Sequence, residues 1–132
     1  MERETIIRFR GIPVRGDGKW VEGSLIVDDL GEFGTNYWIK PFTRANRIEI
    51  IPGTKSQYTG YNFKNRKLFD GDVLQFKDTQ SFRYVCWYQG KWVVASQKDC
   101  KGDNMDLHAF CQYQAKDSNF NFVGTIWDAT LE

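Results

Sequence analysis

Three groups of residues in this 132-residue chain could do chemistry. The first is Asp70 and Asp72, which flank Gly71 in the stretch Lys-Leu-Phe-Asp-Gly-Asp-Val-Leu-Gln-Phe, residues 67–76. Carboxylates two residues apart lie on one side of a strand. That suits an oxygen-ligated metal or an acid–base pair. Either use needs further ligands or a positioned histidine, and the single histidine, His108, is distant in sequence. The competing reading is a turn. Gly71 takes a backbone angle that other residues avoid, and an aspartate beside it accepts backbone N–H bonds before a strand opens at Val73. We favour the turn and expect Gly71 and Asp72 to fix the entry into the strand Val73–Phe76. The second group is Cys86, Cys100, His108 and Cys111, the residue types of a zinc site or of a Cys–His nucleophile pair. It lacks the close Cys-x-x-Cys pairs that zinc sites use, so we expect no metal, no cofactor and no catalytic residue. The third group is Tyr58, Tyr61, Lys64, Arg66 and Lys67. Aromatic rings interleaved with cations can stack and hold a single nucleic-acid strand, and Tyr and Arg are also enriched at protein interfaces.

Whatever positions these groups is a fold of modest size. A chain of this length builds one core without staples, and we read residues 1–132 as a single domain. Aromatic residues make up 16% of the chain and include five Trp, which bury large areas per residue. Lys and Arg number 18 against 17 Asp and Glu, so the basic excess typical of phosphate-binding proteins is missing. No apolar run approaches the ~20 residues needed to cross a bilayer, and the charged opening Met-Glu-Arg-Glu is unlike a signal peptide. Three cysteines, an odd number, with no secretion signal fit reduced thiols in a cytoplasm.

The elements are mostly strand-like. Ile7 and Phe9 alternate with Arg8 and Arg10, the period of a half-buried strand. Asp17-Gly18 marks a turn before a strand at Trp20–Val27. Residues 35–42 form another, ended by Pro41, and residues 47–51 a further one closed by Pro52-Gly53. Residues 81–95 read as a hairpin turning at Gln89-Gly90, with Phe82, Tyr84, Cys86 and Tyr88 on one face and Arg83, Val85 and Trp87 on the other. Residues 104–113 fit both alternation and helical spacing. We favour a short helix there, capped by Asp103 or Asn104. Residues 120–127 close the series as a strand. The expected fold is therefore mainly β and antiparallel, a small barrel or two sheets with at most one short helix.

The stretch Gln57–Phe76 resembles the central motif of the YopX family of phage and prophage proteins. Gln57, Tyr58, Thr59, Gly60, Asn65, Lys67, Gly71 and Asp72 coincide with it, and Leu68, Phe69, Asp70, Val73 and Leu74 are like-for-like. Residues 6–11 and 122–128 are similar to the family's opening and closing segments. The family's Asn-Gly turn is Asn65-Arg66 here. Arg at positive φ is unfavourable, so we expect a longer or differently shaped loop at residues 61–67. The resemblance implies a β-rich fold and a phage or prophage accessory protein in the cytoplasm of a bacterial host. It carries over no activity of any kind, and it reads Gly60, Gly71 and Asp72 as structural; with no catalytic constellation in the residues, we expect no enzyme. With no chemical site in view, we expect a module that binds a host or phage protein or assembles as a homo-oligomer, away from any membrane. The alternative is a single-strand nucleic-acid binder using Tyr58, Tyr61, Lys64, Arg66 and Lys67.

Overall fold

The computed structural model describes residues 7–43, 46–114 and 120–128. The chain divides into two compact units, Met1–Tyr58 and Thr59–Glu132. Both are built from antiparallel strands, as the alternation of apolar and polar residues requires.

In the first unit the strands are β1 (Phe9–Gly11), β2 (Val21–Asp29), β3 (Thr35–Pro41), β4 (Ile48–Glu49) and the opening residues of β5 (Ser56–Phe63). Their order is β4-β3-β2-β1-β5. β2 and β3 form the longest hairpin, paired from Gly23↔Pro41 to Asp29↔Thr35. Ile39 on β3 and Ile50 just after β4 are the fully buried apolar side chains among the described residues of this unit. Arg10 is also buried, and its Nε donates to Ser56 Oγ at 2.9 Å while its guanidinium lies 4.3 Å from the Trp20 ring. A cation enclosed this way keeps a hydrogen bond and an electron-rich face in place of water.

In the second unit the rest of β5 is the neighbour of β6 (Arg66–Phe69). A five-stranded sheet follows in the order β10-β9-β8-β7-β11. It comprises β7 (Asp72–Phe76), β8 (Phe82–Tyr88), β9 (Lys91–Ala95), β10 (Asn104–Asp106) and β11 (Phe120–Thr125). One face carries Leu74, Val85, Val94 and Phe120, which pack with Phe63, Leu68, Leu107 and Phe110 into the main core. The opposite face holds Cys86, Val93 and Ala95, with Tyr88 and Cys100 packed on them. β11 carries a bulge between Phe122 and Gly124. This is a mainly β fold of two antiparallel sheets, with little helix.

Three expectations are corrected in detail. The segment 104–113 is divided: β10 comes first, then one helical turn α1 (Leu107–Ala109) and a π-helical turn at Phe110–Gln114. The cap is Asp106, whose Oδ2 accepts the Ala109 N–H at 3.2 Å, and not Asp103 or Asn104. The β5–β6 connection is a tight two-residue turn, so of the two forms expected for this loop the longer one does not hold. The turn is centred one residue earlier than expected, on Lys64 (φ 50°) and Asn65 (φ 65°), so Arg66 is spared the positive φ. Asn tolerates that region; Lys bears the strain. Finally, Cys86 and Cys100 are joined in a disulfide with Cα atoms 6.2 Å apart, which leaves Cys111 as the free thiol. The 14-residue separation carries no motif; only the return of the chain after β9 over the sheet brings the two together.

Candidate functional site

The five residues singled out for binding lie on β5 (Tyr58 and Tyr61), on the turn that follows it (Lys64) and on β6 (Arg66 and Lys67). Tyr58 belongs to the first unit, and its N–H donates to the Arg8 carbonyl at 2.7 Å. Burial pushes its phenol above the ordinary value, and the positive charge of Arg8 offsets this in part. The other four are in the second unit and mostly serve the fold. Tyr61 meets His108 edge-on, with ring centroids 5.6 Å apart. Lys64 Nζ donates to the Phe120 carbonyl at 2.7 Å. The Arg66 guanidinium lies 3.5 Å from the centre of the Phe122 ring. Lys67 is exposed on β6.

The motif residues have local tasks. Gly71 has φ 88°; its N–H donates to Val85 O and its carbonyl accepts from Ile126 N–H, both at 2.8 Å. It thus sits where β7 meets β8 and the end of β11. Asp72 is fully buried, and its Oδ2 accepts the Phe69 N–H at 2.7 Å. Asp70 and Gly71 form a turn, so the two carboxylates are not successive residues on one strand face. Gly60 also has a positive φ, 86°. Thr59 beside it is buried, donating its hydroxyl to Leu68 O at 2.8 Å and accepting the Tyr61 N–H at 3.1 Å. The cysteine and histidine group is dispersed, since Cys86 and Cys100 bond to each other and His108 is exposed beside Tyr61. Burial without a compensating cation pushes the Cys111 thiol up to about 11.

A feature that sequence reasoning missed lies at the tip of the β2–β3 hairpin. The connection turns through a 3₁₀ segment, Gly31–Phe33. Leu30 N–H donates to Gly34 O at 2.8 Å, Gly34 N–H to Gly31 O at 3.1 Å and Gly31 N–H to Asp29 Oδ1 at 2.9 Å. The loop is therefore closed on itself. It presents Phe33 to solvent at 83% exposure, with Leu30 and Val27 about half exposed at the same end of the hairpin. Asp29 and Glu32, both exposed, are the carboxylates at this turn, and Asp28 just before them pairs with Arg47 at 3.0 Å. The signal in the sequence was a phenylalanine in Gly-Glu-Phe-Gly, where two glycines mark a loop and a core residue has no place.

Compared with family models, curated proteins and solved structures, the chain matches none.

Proposed function

We propose that this protein works by binding another protein, with the β2–β3 tip as the contact and Phe33 as its anchor. The observation that carries the reading is a large aromatic ring at 83% exposure on a loop already fixed by its own hydrogen bonds. An ordered loop loses little entropy on docking, and buried aromatic anchors dominate interface energies. The exposed carboxylates of Asp29 and Glu32 on the same loop favour a partner whose apolar pocket is rimmed by Lys or Arg. A second copy of the chain is the first partner to test, and a host or phage protein the next. The resemblance to the YopX family supports a phage or prophage accessory role.

Light scattering after size exclusion, together with affinity capture from phage-infected cells, tests this. The native chain should self-associate or capture a defined protein, and Phe33→Ser should weaken that association. Burying a Phe side chain is worth about 2 kcal/mol, a loss of roughly thirtyfold in affinity. A clean monomer that captures nothing, or a complex indifferent to Phe33→Ser, overturns the reading.

A further inference from the structure

The second unit contains a hollow of about 200 Å³ at one end of its main core. Phe76, Val94, Phe110 and Phe120 line its apolar part. The rings are already in contact there, with Phe76 and Phe120 centroids 3.9 Å apart and Phe110 meeting Phe120 edge-on at 4.8 Å. Phe110 opens the π-helical turn, a local geometry frequent at functional sites. An apolar cavity of roughly 150 Å³ accepts benzene, so this one has room for a single ring and a short polar end.

Two opposite charges stand at its edge. Arg83 lies on the core face of β8, the face of Val85, and is half-buried. Its guanidinium donates to the Phe82 carbonyl at 2.8 Å and lies 5.0 Å from the Phe76 ring. No carboxylate among the described residues pairs with it. Asp103 is exposed and also borders the hollow. The ladder relates the two. Arg83 stands one step beyond the Tyr84↔Ala95 pair, opposite Ser96. Ser96 N–H in turn donates to Asp103 O at 2.8 Å. Arg83 and Asp103 are therefore in one cross-strand row, two strand spacings or roughly 10 Å apart at Cα. The two are not paired with each other here, so a molecule carrying both charges can meet them at the rim of the hollow.

We propose that this hollow is a binding site for a zwitterionic α-amino acid with an aromatic side chain. The ring lies in the hollow against the packed edge of Phe76, Phe110 and Phe120. The carboxylate meets the Arg83 guanidinium, whose planar fork matches it. The ammonium meets Asp103. Met105, 39% exposed at the rim, closes over the ring with an adaptable thioether. No covalent step is involved. This site is independent of the hairpin tip.

Ligand-observed NMR and calorimetry on the full chain test it with L-phenylalanine, 3-phenylpropionate, phenethylamine and glycine. L-Phenylalanine should bind saturably with a Kd on the order of 1 mM or tighter, as expected for so small a ligand. Removing either charge or the ring should weaken binding by about tenfold or more, the worth of a hydrogen bond to a charged group or of a buried ring. In the protein, Arg83→Gln should abolish binding of L-phenylalanine and 3-phenylpropionate. Asp103→Asn should weaken L-phenylalanine but leave 3-phenylpropionate unchanged, a selectivity that mere loss of structure would not produce. Melting midpoints establish that both variants are folded. No saturable binding of L-phenylalanine by the native chain, or binding unaltered by Arg83→Gln, overturns the proposal.

Discussion

Replacing Gly71 with alanine should cost far more than its small added volume suggests, because two separate penalties meet there. The first is conformational. At φ 88° an L side chain crowds its own backbone, at about 1–2 kcal/mol. The second is steric. A Cβ on Gly71 would stand 2.6 and 2.8 Å from two ring carbons of Trp127 and 3.3 Å from Ile126 Cγ1. Overpacking of this kind costs about 1–3 kcal/mol, and since the obstacle is the far edge of a half-buried ring rather than backbone, the lower part of that range applies. The expected total is about 2–3 kcal/mol. Gly60 provides the control. Its φ is 86°, nearly the same, but a Cβ there meets nothing within 4 Å. Gly60→Ala should lose only the conformational part, about 1–2 kcal/mol. Urea unfolding followed by circular dichroism measures both from the shift of the midpoint at constant slope. In a Trp127→Ala background the cost of Gly71→Ala should fall to that of Gly60→Ala. Equal losses for the two glycines in the native background, or no relief in the Trp127 background, would refute the assignment of Gly71 to a packed junction.

Other predictions read different parts of the molecule. The Cys86–Cys100 bond closes a 14-residue separation, so Cys100→Ser should lose about 3 kcal/mol in oxidising buffer and little in excess reductant; equal stability in both buffers argues that the bond does not hold the second unit. Cys111, with its thiol raised to about 11 by burial, should alkylate slowly at pH 8 in the folded chain and rapidly once unfolded. The folded state keeps that proton, so its contribution to stability is present below pH 9, the unfolded value, and is lost as pH rises through about 11. Fast native alkylation at pH 8 would contradict this. Arg66→Ala should destabilise by roughly 1 kcal/mol through the lost stacking on Phe122, with an unchanged melting curve as the contrary result. Labelled oligonucleotides should bind the native chain weakly; micromolar binding that falls steeply with added salt would favour a nucleic-acid role.

The strands were legible because alternation carries their physics. Phe82, Tyr84 and Cys86 against Arg83, Val85 and Trp87 specify two faces, and those faces are the ones the sheet uses. Turn chemistry was legible where glycine signalled it, at Gln89-Gly90 with φ 51° and 85°. It misled where a lysine accepted positive φ at position 64, since nothing in local propensity favours that choice; the pairing of β5 with β6 imposes it. The division of residues 104–113 could not be read either. Met105 is a strand residue because β9 offers a partner at Val94, whereas Leu107 and Phe110 turn helically to reach the core. The disulfide, the hollow beside Arg83 and the exposure of Phe33 are all tertiary facts. A sequence shows that an arginine alternates onto an apolar face, but not whether that face is open at that point.

Interleaved aromatics and cations are ambiguous in a sequence, and here the geometry gives them a shared structural use. In the first unit Arg8, Arg47 and Lys55 lie within 4.2–5.0 Å of the rings of Phe42, Trp38 and Tyr37. In the second, Lys64 and Arg66 lie 5.2 and 3.5 Å from the rings of Phe63 and Phe122. A platform for bases needs the ring face open and the cation free to meet phosphate. A ring covered by its own cation is committed on that face. The same pairing lets a small fold with 16% aromatic residues place rings near the surface without leaving broad apolar patches. Against that background Phe33 is conspicuous, a ring at 83% exposure on a loop that carries Asp29 and Glu32, with no cation over it among the described residues. The missing cation is what a docking partner would bring. That is the physical reason for looking to a basic-rimmed protein surface, and not to a phosphate backbone, as the complement of the hairpin tip.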